Sequence, residues 1–173
     1  RVQTKSIAAD ILYNAPDPFA RKVILDRGTQ QGVEAGLAVL DANGVIGQVT
    51  RVHPVQSEVT LLTDRNQSIP VSVVRNGVRG VLYGVGRGML EMRHVLAEVD
   101  IQPGDRLVTS GLDGIFVPGL PVATVTRVDR DQDAFARIEC EPLAAIERSV
   151  QVLVIGRAAY PPPPPPPEPA GGR

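Results

Sequence analysis

Tryptophan is missing from this chain of 173 residues, and three tyrosines with three phenylalanines leave few flat faces on which sugars, bases or flavins could stack. That removes sites built on aromatic platforms and disfavours a carbohydrate-binding module. The single cysteine, Cys140, permits no internal disulfide, so cross-links do not support the fold and cysteine usage says nothing about compartment. It lies in the alternating run FARIEC with no paired histidine evident, and reads as core filler rather than as a nucleophile. His53 and His94 stand forty-one residues apart without a cysteine or acidic companion at ligand spacing, which makes a poor metal site, and no cofactor is expected. No stretch approaches the roughly 20 apolar residues of a membrane span and no charged-then-apolar leader opens the chain, so this piece is expected to be soluble and is compatible with being cut from something longer. With 18 basic residues against 19 acidic, no large field attracts polyanions, and nucleic acid is not an expected partner. Lysine is confined to Lys5 and Lys22; the arginine bias fits flat bidentate contacts at protein interfaces, and genome composition would give the same bias.

What the chain does have is short runs rich in valine, isoleucine and threonine, separated at nearly even spacing by Gly, Asn-Gly, Asp-Gly or Pro. Examples are RKVILD (21–26), VIGQVTRV (45–52), SEVTLLT (57–63), IPVSVV (69–74), LPVATVTRV (120–128) and SVQVLVI (149–155). Such strands mark sandwiches and small barrels, and the chain reads as all-β. Asp41-Ala42-Asn43-Gly44 and Arg75-Asn76-Gly77 supply hairpin turns whose residues tolerate positive φ. MLEMRHVLAEVD (89–100) fits an amphipathic helix with Met89, Met92, Leu96 and Val99 on one face as well as a strand alternating Leu90, Met92, His94 and Leu96. EPLAAIERS (141–149) fits a short helical turn opened by Pro142. Residues 32–52 and 100–128 echo one another, each with an apolar-x-x-Gly, a strand, a glycine turn and then VTRV, which points to two related lobes. After Tyr160, PPPPPPPEPAGGR lacks amide donors and apolar surface and is expected to be an extended arm outside any core.

Reactive constellations are scarce. His53, Asp100 and Ser110 follow the chain order of one class of serine protease, which gives an alternative function: a serine hydrolase on a trypsin-like barrel using His53 and Ser110. Against it, Ser110 lies in TSGLDG without a Gly-x-Ser-x-Gly elbow, and the ten residues from Asp100 to Ser110 compare with a gap of about 90 in that class. The other reading of Thr109-Ser110 is a strand end whose hydroxyls satisfy backbone groups of the next turn, with Gly111 and Gly114 at positive φ. GVGRG (84–88) lacks the strand, helix and downstream acid of a phosphate loop and reads as a mobile hairpin tip. Pro103-Gly104-Asp105 makes a tight turn that the Asp105 carboxylate is placed to cap.

The succession Gly104-Asp105, Thr109-Ser110-Gly111, then Phe116-Val117-Pro118-Gly119-Leu120-Pro121-Val122 resembles the periplasmic region of the rod shape-determining MreC family, and residues 24–52, 59–71 and 79–84 add to the resemblance over about residues 8–156. It implies two small β-barrel-like domains of about six strands each, written here as 1–67 and 68–157, with the last strand (149–155) free to pair back with the first, and a disordered proline-rich tail at 158–173. It also tips MLEMRHV toward a strand. No catalytic, cofactor-binding or metal-binding residue is implied. The implied function is a non-enzymatic periplasmic scaffold of cell-wall elongation, held to the inner membrane by an upstream anchor absent from this chain. Its partners would be the elongation-specific class B penicillin-binding protein, the membrane protein MreD, the actin-like MreB, and further copies of itself as dimers or filaments. Unpaired sheet edges would offer places for strand addition.

Overall fold

The computed structural model describes residues 4–130 and 134–157. The expected proline-rich arm lies outside the described residues. Twelve strands follow one another: β1 (Thr4–Asn14), β2 (Lys22–Leu25), β3 (Ala38–Leu40), β4 (Val45–Val52), β5 (Ser57–Leu61), β6 (Ser68–Val73), β7 (Arg79–Gly84), β8 (Leu90–Leu96), β9 (Arg106–Thr109), β10 (Pro121–Asp129), β11 (Phe135–Pro142) and β12 (Gln151–Arg157). Among the described residues there is no α-helix, only one 3-10 turn at Thr29–Gln31. The all-β reading holds.

Strand chemistry explains the elements. In β11 the alternation is complete: Ala136, Ile138 and Cys140 point inward and are buried, while Phe135, Arg137, Glu139 and Glu141 face out. The ambiguous segment is β8. Leu90 and Met92 are buried as the strand pattern requires, but His94 sits at φ 63 and breaks the alternation, so that Val95 turns inward and Leu96 outward. A non-glycine residue in the left-handed region acts there as the extra residue of a bulge. At the other end of the chain, Pro142 closes β11 rather than opening a helix, and the segment after it makes a single turn closed by the Arg148 N–H on the Ala145 carbonyl (2.9 Å).

The strands form two closed barrels of six, in the cyclic orders β1-β12-β3-β4-β5-β2 and β10-β11-β8-β7-β6-β9. Their pairings are the same once β12 is placed ahead of β1. Thus β12 pairs with β1 and β3 as β6 pairs with β7 and β9, and β2 pairs with β1 and β5 as β8 pairs with β7 and β11. The first barrel is a circular permutation of the second, its sixth strand supplied from the far end of the chain.

The sequence echo marks this repeat at atomic detail. Gly36 and Gly104 stand at φ 94 and 93 and donate their N–H groups to Val49 (2.8 Å) and Val125 (2.7 Å). Three residues before each glycine an apolar anchor, Val33 or Ile101, is buried. In each VTRV the threonine is the bulged residue, as the register shifts between Val49 and Arg51 and between Val125 and Arg127. Its hydroxyl donates to the carbonyl of the facing strand, Thr50 to Glu58 (3.5 Å) and Thr126 to Glu139 (3.1 Å). A bulge strengthens the local twist that a small barrel needs to close, and the threonine oxygen occupies a backbone carbonyl the bulge leaves out of the ladder.

The buried apolar side chains form one contiguous core across both barrels. Two crossings join the barrels, and a carboxylate holds each. In the first, residues 62–67, Asp64 is buried; its Oδ2 accepts the Arg21 N–H (2.7 Å) and its Oδ1 the Asn66 N–H (2.8 Å). In the second, residues 143–150, the Ala145 N–H and the Ser149 hydroxyl both donate to Asp41 Oδ2 (2.7 and 2.9 Å). The other oxygen of Asp41 accepts the N–H groups of Asn43 and Gly44 (2.7 and 3.0 Å). That hairpin therefore turns on side-chain capping, and neither Asn43 nor Gly44 takes positive φ as expected. Gly44 is required for another reason: a Cβ there would lie 2.7 Å from the Pro121 carbonyl of the second barrel.

Gly44→Ala must push the barrels apart or bend the hairpin, and is expected to cost about 1–3 kcal/mol, read as a lower midpoint in chemical denaturation. Truncation after Ser149 removes β12 and leaves β1 and β3 each with one open edge; limited trypsinolysis should then cut at Lys22 and Arg27 faster than in the closed first barrel.

Candidate partner-binding surface

Strand closure decides what kind of surface is on offer. Both sheets close on themselves, so the whole unpaired edge strands expected for strand addition are not found among the described residues: each strand is hydrogen-bonded to a neighbour on either side in its own barrel. What the barrels expose is side chains on the outer faces and the loops between them.

The residues of the protease-like order are each engaged elsewhere. His53 follows β4 in the first barrel, where its N–H donates to the Gln56 carbonyl (2.8 Å) and its carbonyl accepts the Thr29 N–H (2.9 Å). Ser110 follows β9 in the second barrel, and its Oγ accepts the Leu112 N–H (3.4 Å). Asp100 is held by Arg75. Among the described residues no hydrogen bond joins any two of the three, so chain order here does not build a triad. The Thr109 side chain does what a strand-end hydroxyl does: it donates to the Val117 carbonyl (2.6 Å) and accepts the Leu120 N–H (2.9 Å), folding the loop back along its own strand. Gly111 and Gly114 take φ 73 and 69 in that loop. Cys140 is buried in the second barrel, and burial pushes its thiol up to about 12, which keeps it protonated and unreactive. His94 packs edge-on against Phe135, ring centroids 6.4 Å apart. The GVGRG hairpin tip is tied down, since the Gly86 N–H donates to Thr63 (2.9 Å) and its carbonyl accepts from Arg21 Nη2 (2.7 Å).

Two arginines that sequence reasoning did not single out organise the loop between β8 and β9. Arg75 presents its fork to two carboxylates, with Nε and Nη2 on Asp105 (2.8 and 2.9 Å) and Nη1 and Nη2 on Asp100 (2.9 and 3.1 Å). Asp105, only 7% exposed, also accepts the Gln102 N–H (2.9 Å), the cap its turn position promised. Arg130 donates to the carbonyls of Ala97, Val99 and Ile101. The signal for Arg75 was the Arg-Asn-Gly turn, but a partner 30 residues away in sequence is visible only in three dimensions.

The outer faces carry two kinds of chemistry. On the second barrel Glu91 and Glu139 stand directly opposite across β8 and β11, a repulsive pair bordered by Arg93, Arg137, Arg65 and Arg87 in one groove. Arg93 lies 4.8 Å over the Tyr83 ring. The apolar surface is at the loops: Phe19 after β1 is 94% exposed, with Leu12 and Tyr13 nearby in sequence, while Leu112 and Ile115 project from the loop after β9.

The hydrogen bonds of Arg75 hold the Asp105 and Asp100 carboxyls below the usual carboxylate range, and those of Asp105 first, then Asp100, raise the Arg75 guanidinium. Both carboxylates keep their charge at pH values where the unfolded chain has taken up protons, so unfolding binds protons and acid favours it. The stabilisation is complete above the ordinary carboxylate pKa of about 4 and disappears as pH falls through the depressed folded values. Thermal unfolding between about pH 6 and about pH 2 should show the Tm of the wild type falling faster than that of Asp105→Asn, the variant starting several degrees lower and the curves converging in acid.

Comparison with known proteins places these surfaces in a family. The model of the barrel core of rod shape-determining protein MreC matches residues 11–156. Cell shape-determining protein MreC of Haemophilus influenzae is 42% identical over 149 residues, 85% of this chain and 42% of its own length, so the chain spans about two fifths of that relative. The crystal structure of MreC from Pseudomonas aeruginosa superposes with a TM-score of 0.83 at 43% identity, covering 87% of this chain and 98% of that one. An MreC solved in complex with Penicillin-Binding Protein PBP2, from Helicobacter pylori, shares the fold at a TM-score of 0.69 and 18% identity, over 88% of this chain and 98% of that one. With its barrel core matched almost from end to end, the chain belongs to the rod shape-determining MreC family.

Proposed function

We propose that this chain is the partner-binding, periplasmic portion of a scaffold that organises cell-wall elongation and maintains rod shape, without catalysis of its own. The observation that carries the reading is the match of the family's barrel core across residues 11–156, joined to a molecule whose exposed chemistry sits on loops and outer faces. The partner is the elongation-specific class B penicillin-binding protein; the Helicobacter pylori relative captured with PBP2 supports that assignment. Self-association, contact with MreD and a link to MreB, and an inner-membrane anchor upstream complete the scheme. In it the first barrel comprises the N-terminal strands and β12, and the second runs from β6 to β11.

The mechanism follows from linkage. A scaffold activates a transpeptidase only if it binds the active conformer more tightly than the inactive one; equal affinity for both shifts nothing. Since closed barrels leave no free edge, the contact uses a groove or a loop. Immobilised cognate penicillin-binding protein should retain this chain, and transpeptidase turnover on lipid-linked substrate should rise with its concentration. Retention with turnover unchanged leaves tethering and removes activation; absence of retention removes the reading.

A further inference from the structure

We propose that Phe19 is the knob, and the notch formed by Met89, Pro142, Ala144, Ala145 and Ile146 the hole, of a two-fold contact between two copies of this chain. The inference rests on the self-association just proposed and names its interface. Of the three phenylalanines, Phe116 is buried and Phe135 half exposed, whereas Phe19 is 94% exposed. A large apolar side chain held wholly in water is the informative case, because nothing in its own chain rewards that position.

The loop that carries it is built to hold it there. Pro16 and Pro18 restrict the backbone on either side of Asp17, whose Oδ1 accepts the Phe19 N–H (2.9 Å). The Ala15 N–H donates to the Lys22 carbonyl (2.9 Å) at the base, and the Arg21 N–H is fixed by buried Asp64 (2.7 Å). Arg21 then reaches Gly86 and Glu147 across the junction of the barrels (2.7 and 2.8 Å). Because the loop is already ordered, little conformational freedom is left to lose on association.

A receptor of the right chemistry lies next door. Beside Met89 and the Pro142–Ile146 stretch, the notch shares Glu147 with the groove that holds Phe19, so knob and hole sit side by side on the barrel junction. A knob and a hole adjacent on one surface suit a two-fold exchange, each copy filling the other, whereas knob and hole on opposite ends would propagate a filament. Charge agrees with this pairing. Arg65 flanks the knob and Glu141 rims the hole, and neither has an ion-pair partner among the described residues.

Sedimentation velocity of the full chain over a concentration series tests the contact. Phe19→Ala and Ala145→Trp, the second plugging the notch, should each weaken dimerisation at least about tenfold. An equimolar mixture of the two variants should recover dimer, since one chain keeps a knob and the other an open hole. A wild-type dimer untouched by Phe19→Ala overturns this interface and leaves self-association standing, while a wild type that stays monomeric throughout overturns both. If Ala145→Trp loses its strand signal in circular dichroism, Phe19→Ala decides alone, its side chain having little packing to lose at 94% exposure. Capture by the penicillin-binding protein is measured in parallel: a Phe19→Ala variant that dimerises normally but is no longer captured assigns Phe19 to that partner instead and refutes the proposal.

Discussion

The position of every surface on this molecule depends on the return of β12 to the first barrel. Without it β1 and β3 would be open edges; with it, both sheets close and no whole strand is left at an edge to template another chain. The return obliges the chain to cross twice between the barrels, and each crossing carries polar backbone through a junction that also buries apolar side chains. Asp64 and Asp41 ease that conflict by accepting donors within the crossings, Asn66, Ala145 and Ser149, and by tying Arg21 of the first barrel to the first crossing. The same carboxylates fix the loops that project outward, so closure of the fold and presentation of its surface are one constraint.

The permuted repeat gives this arrangement its economy. In both barrels a left-handed glycine, a buried apolar anchor and a threonine bulge close the same three-stranded half. The halves differ where the barrels have different tasks. Leu37 follows the glycine in the first and packs in the core; Asp105 follows it in the second and joins Arg75 and Asp100 to stiffen the long loop after β8. Stiffness in the barrels lets small loop contacts keep a defined geometry.

Much of this was legible in the residues. Valine-, isoleucine- and threonine-rich runs bounded by glycine and proline identified strands because side-chain alternation against a closed core imposes a period of two, as β11 shows in full. The Thr109 hydroxyl, the Asp105 cap and the repeated VTRV could be read as local devices, since each satisfies backbone groups close by in sequence or marks a bulge within its own strand. His94 was harder, because its positive φ exchanges which of Val95 and Leu96 faces inward, and no periodicity announces a bulge at a histidine.

Other features belong to three dimensions alone. Gly44 looked like a turn residue and proved to be a spacing residue, excluded from any side chain by a carbonyl in the other barrel. Arg75 meets carboxylates 25 and 30 residues away, and Phe19 stands in water beside a notch whose residues come from the second barrel and from the crossing that follows it. The sequence by itself determined the strands, the turns and the repeat, because those depend on short-range sterics and on which side of a pleat a residue falls. Tertiary structure decided which strand closed which barrel, which polar groups met and which apolar side chains were left outside, because those depend on loop closure and packing between segments that no local pattern links.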